Sequence, residues 1–149
     1  MGRLVPMPFE EEWALRKTAE IYAAGADQRN KSLWAAILTE DCVIEGPGFR
    51  IEGREANLGS IERLGQMFLK TQHRVHNQMV EIDGDRAEGE TYSTADHLLE
   101  VDGERRLVCW AIRYQDEWRR EDNQWRFSSR KLVVDWDETR AIGRARADG

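Results

Sequence analysis

An imidazole backed by a carboxylate is the simplest cofactor-free device for moving a proton near neutral pH. The chain contains three histidines. Two of them, His73 and His97, are read together with Asp27 as catalytic candidates that folding gathers in one small barrel-like cavity. In that reading His73 is a general base that takes a proton from carbon next to a carbonyl, or beta to a leaving group. Asp27, on its other ring nitrogen, fixes the tautomer and stabilises the imidazolium. His97, Tyr114 or Arg130 then protonates the departing oxygen or holds an enolate. Phe68, Trp110, Ile112 and Leu132 supply apolar walls for a cyclic substrate, and Tyr22 reaches the rim with its hydroxyl.

Each residue also has a plainer reading. Asp27 follows Gly25 and serves equally well as a helix cap or turn residue. His73, at a helix–strand junction, fits a capped structural role, and His97 a satisfied core position. His76 lies three residues from His73 on the opposite strand face and is set aside. The spacing of Asp27, His73 and His97 matches no metal motif, so neither a metal nor another cofactor is expected.

The elements that must position these residues are visible as periodicities. Phe9, Trp13, Leu15, Ala19, Ile21 and Tyr22 recur at helical spacing behind the acidic turn Glu10-Glu11-Glu12, and Gly25 is the expected stop. A second helix fits Asn30 to Leu38. A strand at Cys42–Glu45, broken by Gly46-Pro47-Gly48, continues as a hairpin through Phe49 to Ile51. Helical period returns from Arg54 to Gln72. Beyond it, Asp83-Gly84, Asp102-Gly103 and Asp122-Asn123 mark tight turns between four strands at about 74–82, 86–101, 105–119 and 124–136, an antiparallel meander. A short terminal helix is expected over Glu138 to Arg146. Alternation puts Ser93, Ala95, His97 and Leu99 on one face of the second of these strands, and Val108, Trp110, Ile112, Tyr114 and Trp118 on one face of the third. On the fourth it aligns Ser128, Arg130, Leu132 and Val134. The sum is an α+β fold: N-terminal helices packed into a curved antiparallel sheet enclosing a pocket, one domain over residues 1–149.

Composition narrows the function classes. A formal charge of −6 argues against a nucleic-acid binder, since phosphate contacts need a basic face. No apolar run approaches the ~20 residues a membrane helix needs, the first residues lack the apolar core of a secretory signal, and Pro6 argues against myristoylation. Cys42 and Cys109 show no CxxC spacing and read as buried thiols in a reducing cytoplasm.

The run Tyr22-Ala-Ala-Gly-Ala-Asp27, then Thr71-Gln72-His73, Asp96-His97, Trp125-Arg126-Phe127 and Asp135-Trp136 resembles the SnoaL-like branch of the NTF2-like superfamily. Among its enzymes the pattern is similar to scytalone dehydratase, and to hexachlorocyclohexane dehydrochlorinase through Ile44 to Gly48 and Arg130; bile-acid dehydratases belong to the same group. The resemblance implies an NTF2-like cone with an Asp27–His73 pair and His97 as second histidine. The two tyrosines with which scytalone dehydratase holds a water fall near Ala26 and Gly46 here, and its serine and asparagine near Ile112 and Tyr114, so scytalone itself is not the expected substrate. The implied function is a cofactor-independent, dehydratase-like lyase acting on a small cyclic, moderately apolar substrate. A ring isomerase or cyclase using the same dyad, or a non-catalytic binder of a hydrophobic ligand, are the alternatives. The exposed sheet face implies a homo-oligomer, trimer or dimer.

Overall fold

Tight turns build the second half of the molecule. Gly84, Asp102, Gly103, Asp122 and Asn123 all take positive φ, which two-residue hairpin turns require. The computed structural model describes residues 8–143. Among them the order is α1 (Phe9–Asp27), α2 (Lys31–Ile37), β1 (Leu38–Gly46), β2 (Phe49–Glu52), α3 (Arg54–Met67), β3 (Lys70–Asp83), β4 (Arg86–Val101), β5 (Glu104–Glu121) and β6 (Gln124–Ala141). The six strands form one sheet in the order β2-β1-β6-β5-β4-β3. Every neighbouring pair is antiparallel except β1 and β6, which run parallel with Ile44 opposite Arg130. No described helix is long and apolar enough to cross a membrane.

The sheet cups the helices. Leu15, Ala19, Tyr22 and Ala26, spaced three or four apart on α1, are all buried against Trp118, Phe127 and Tyr114 from the inner sheet face. Burial of each large side chain is worth roughly 1.5–3 kcal/mol. Polar atoms inside this layer are paired: Trp118 Nε1 donates to Thr18 Oγ1 (2.9 Å), whose hydroxyl donates to the Leu15 carbonyl (2.6 Å). Trp34 Nε1 donates to the Tyr22 carbonyl (2.8 Å).

Several expectations need correcting. Gly25 is not a helix stop. It lies inside α1, where a Cβ would overlap the Trp34 ring, so its role is close approach of two helices. Asp27 is the last residue of α1 rather than part of the connector. The third helix ends at Met67, because Phe68 turns extended and Leu69 N–H bonds the Leu98 carbonyl; Thr71 and Gln72 are therefore strand, opposite His97 and Asp96. No helix forms at Glu138–Ala141, which extends β6 and pairs with Arg106–Cys109, while residues 144–146 lie outside the described residues. The expected alternation on β6 is also broken. A bulge opposite Glu117 and Trp118 adds one residue, so Phe127 and Arg130, rather than Ser128 and Arg130, are both buried.

Candidate active site

Asp27 is aimed by the way α1 ends. Arg29 takes the left-handed conformation (φ 53°), Asn30 N–H reaches back to the Gly25 carbonyl (2.8 Å) and Arg29 N–H to Ala26 (3.3 Å). This is a Schellman ending with arginine where glycine is usual. The cost of that conformation, of order 1 kcal/mol or more, is offset by the Arg29 side chain. Its Nη1 donates to the Ala26 carbonyl (2.5 Å) and to Thr71 Oγ1 (2.8 Å). Asn30 then caps α2 through its side-chain oxygen.

β3 brings the partner. His73 Nδ1 lies 2.6 Å from Asp27 Oδ1, and the His73 backbone N–H donates to Asp27 Oδ2 (2.8 Å). The Thr71 hydroxyl, two residues earlier on the same strand face, donates to Asp27 Oδ1 (3.1 Å). Because Arg29 donates to the Thr71 oxygen, the hydroxyl proton has to point at the carboxylate. An ionised Asp27 accepts only, so Nδ1 carries the proton and Nε2 is the basic nitrogen of His73. Burial lowers the Arg29 pKa, and Asp27 works against that shift.

His97 stands across from this pair, its ring centroid 6.0 Å from that of His73 and edge-on to it. Phe68 and Trp110 hold the ring from two sides at 4.6 and 4.7 Å. Its Nδ1 lies 3.1 Å from the Val108 carbonyl, which only accepts, so Nδ1–H donates and Nε2 is left as an acceptor. Burial lowers the His97 pKa despite that hydrogen bond, with His73 adding to the effect. A neutral His97 with a bare Nε2 can accept a hydrogen bond from a group in the cavity.

Both imidazoles line a cavity of about 400 Å³. Of the expected contact residues, Tyr22, Phe68, Trp110, Ile112, Tyr114 and Leu132 line it too. Arg130 does not. It is 1% exposed behind the tyrosines, its Nε and Nη2 paired with Asp116 Oδ1 (2.7 Å) and Oδ2 (3.1 Å). Its guanidinium carbon sits 3.7 Å from the Tyr114 ring centroid, so Arg130 braces a wall and does not enter the cavity. Burial pushes the Tyr114 hydroxyl up to about 12, which keeps it a proton-bearing donor. Among the described residues no three metal-ligating side chains converge.

Sequence reasoning passed over three parts of this arrangement. Thr71 stood inside the quoted Thr-Gln-His triplet without a role. Asp116 shares the alternation of Tyr114 and Trp118, and a carboxylate at that parity was itself a signal that Arg130 had a buried partner. Arg29 carried no signal, since left-handed arginine is set by tertiary contacts.

The chain as a whole has known counterparts. The sequence profile of the SnoaL-like domain matches residues 8–131. Among curated proteins none matches the chain. Similar solved structures include a protein from Novosphingobium aromaticivorans provisionally assigned as a scytalone dehydratase (27% identity, 91% of this chain and 95% of that one, TM-score 0.76). A second is the Kfla4162 protein from Kribbella flavida (25% identity, 85% and 92%, TM-score 0.76). Hexachlorocyclohexane dehydrochlorinase LinA type 2 shares the fold at 22% identity, over 93% and 95% of the chains, with a TM-score of 0.83. Three helices cupped by an unclosed six-stranded sheet make this an NTF2-like cone, and the chain belongs to the SnoaL-like domain family.

Proposed function

We propose that the protein is a cofactor-independent lyase that carries out a dehydratase-like elimination on a small cyclic, moderately apolar substrate. The observation carrying this reading is the 2.6 Å contact of Asp27 with His73 at the wall of an apolar cavity. His73 Nε2 removes a proton from carbon alpha to a carbonyl. The C–H electron pair becomes the new double bond as the bond from the β carbon to hydroxide or halide breaks. The proton on His73 then passes to the departing group or to solvent. Tyr114 donates a hydrogen bond to the carbonyl or enolate oxygen, and His97 Nε2 accepts one from a substrate hydroxyl. A positioned base of this kind is worth ~10²–10⁴ in rate.

The test uses a panel of cyclic β-hydroxy ketones followed by mass spectrometry in water and in D₂O. Loss of one water by the wild type, reduced at least about a hundredfold in His73→Ala with the fold intact, is the expected result. Equal rates in the two proteins remove the base assignment. Deuterium uptake or a shifted double bond without mass loss assigns the isomerase alternative instead. Saturable binding with neither turnover nor exchange assigns the binding alternative, to which the largely apolar lining gives weight.

The same reading includes a homo-oligomer formed through the outer sheet face. Register places Met79, Tyr92 and Trp136 there, exposed by 77%, 39% and 68%. Trp136→Glu shifting the mass in solution to that of a single chain is the outcome that supports it. The free thiols of Cys42 and Cys109 suit a reducing cytoplasm.

A further inference from the structure

The cavity is electrically lopsided. Among the described residues no carboxylate lines it, and Arg63 is its one permanently charged lining residue. Most arginines of the sheet face a carboxylate: Arg74 pairs with Asp96, Arg113 with Asp135, Arg119 with Asp41, Arg120 with Asp85 and Arg130 with Asp116. Arg63 has no ion pair within 4.0 Å among the described residues, although Lys31 and, less strongly, the charge of Arg63 lower the pKa of neighbouring Glu62; the Ser60 hydroxyl accepts from its Nη2 at 2.9 Å.

The arrangement is built into α3. Asn57, Ser60 and Arg63 recur at three-residue spacing, which places them on one helix face, and all three line the cavity. The Asn57 amide fixes the start of that face by donating to the carbonyls of Cys42 (3.0 Å), Ile51 (3.2 Å) and Gly53 (2.8 Å). One wall is thus a polar rail ending in a guanidinium, and the facing walls are rings and aliphatic side chains around His73 and His97. Arg63 is exposed where it borders this apolar cavity, and a cation there favours an anion. The planar fork of arginine matches a planar carboxylate with two parallel hydrogen bonds.

We infer that Arg63, steadied by Ser60, is a carboxylate-binding subsite, and that the substrate is a cyclic carboxylic acid whose apolar ring extends from the cavity mouth toward His73. The inference rests on the cavity being the substrate site, as in the function proposed above.

Trp34 and Trp110 line the cavity, so quenching of their fluorescence reports occupancy without turnover. The probes are naphthoate and the corresponding neutral naphthamide. The wild type is expected to bind naphthoate about tenfold or more tightly than the amide, the effect of a charge-assisted fork, with the gap shrinking as salt rises. Arg63→Gln removes the gap, and His73→Ala keeps it. Equal affinities in the wild type, absence of binding by both probes, or a preference that survives Arg63→Gln would each overturn the subsite. Turnover of neutral ketones with no carboxylate preference would sink the subsite alone; carboxylate preference with unchanged turnover in His73→Ala would sink the base alone.

Discussion

Asp27–His73 and Asp116–Arg130 are both carboxylate–base pairs inside the same cupped sheet, and they do opposite work. The side chains of Arg130 and Asp116 are 1% and 0% exposed; those of His73 and Asp27 are 9% and 22% exposed. In the core, both Asp116 oxygens face Arg130, Thr91 adds a hydrogen bond (2.8 Å), and the guanidinium is stacked among Tyr22, Tyr114 and Phe127. Burial pushes the Asp116 carboxyl up and the Arg130 charge opposes it. Burial works most strongly against the Arg130 cation, but Asp116, Tyr114 and Tyr22 together raise that pKa. Neither partner lines the cavity. At the cavity wall, by contrast, the carboxylate is satisfied by Thr71, the His73 backbone and Nδ1, and Nε2 stays available. A saturated pair builds a wall, and a pair with one open nitrogen can act on what the wall encloses.

The comparison breaks most visibly in stability. Arg130→Met alone leaves a buried, unpaired Asp116, and is expected to lower unfolding free energy by about 3–5 kcal/mol in urea denaturation. Adding Asp116→Leu should recover most of it; failure to recover would mean the pair contributes more than mutual compensation. Asp27→Asn inverts the pattern. Turnover is expected to fall at least about a hundredfold because the tautomer of His73 is no longer enforced, with a stability loss of no more than about 2 kcal/mol. A large loss of stability with little loss of turnover would make the dyad structural.

Smaller changes sharpen the contrast. Thr71→Val removes one donor to Asp27, and about a five- to tenfold drop in kcat/KM is expected. Thr71→Ser, which keeps the hydroxyl, should restore the wild-type value. His97 gives a pH effect of known sign. Burial lowers its folded pKa below the ordinary 6.5, so below pH 6.5 the unfolded chain binds more protons than the native one. Stability therefore falls as pH drops from 6.5 toward the lowered native value, with a limiting slope of about 1.4 kcal/mol per pH unit. His97→Gln should flatten that part of a melting-temperature profile; an unchanged slope would show that His97 is not the group responsible.

Local features were readable wherever one segment's chemistry decides them. The turn dipeptides at Asp102-Gly103 and Asp122-Asn123 need no partner to adopt positive φ, and the hairpins they predict are there. Leu15, Ala19 and Tyr22 announced a helix by spacing, and the cone follows from helices that must bury one face in a curved sheet. The end of the third helix was not readable, because Gln72 and its neighbours suit a helix until β4 offers Thr71 and His73 backbone partners. The terminal strand was missed for the same reason: Glu138 to Ala141 are held by β5, not by their own preferences. The parallel pairing of β1 with β6 and the bulge that turns Phe127 inward are likewise cross-strand events.

By itself the amino-acid order determined which groups were available for chemistry: a carboxylate after a small-residue helix, two imidazoles at fixed parities, an arginine among apolar neighbours. Those follow from residue type and period, which are local. Tertiary structure alone decided that Asp27 meets His73, that Arg29 and Thr71 orient the carboxylate, and that Arg130 is sealed against Asp116 while Arg63 is left at the cavity. Such choices depend on distances between residues up to 46 positions apart, and only the packed sheet and helices set them.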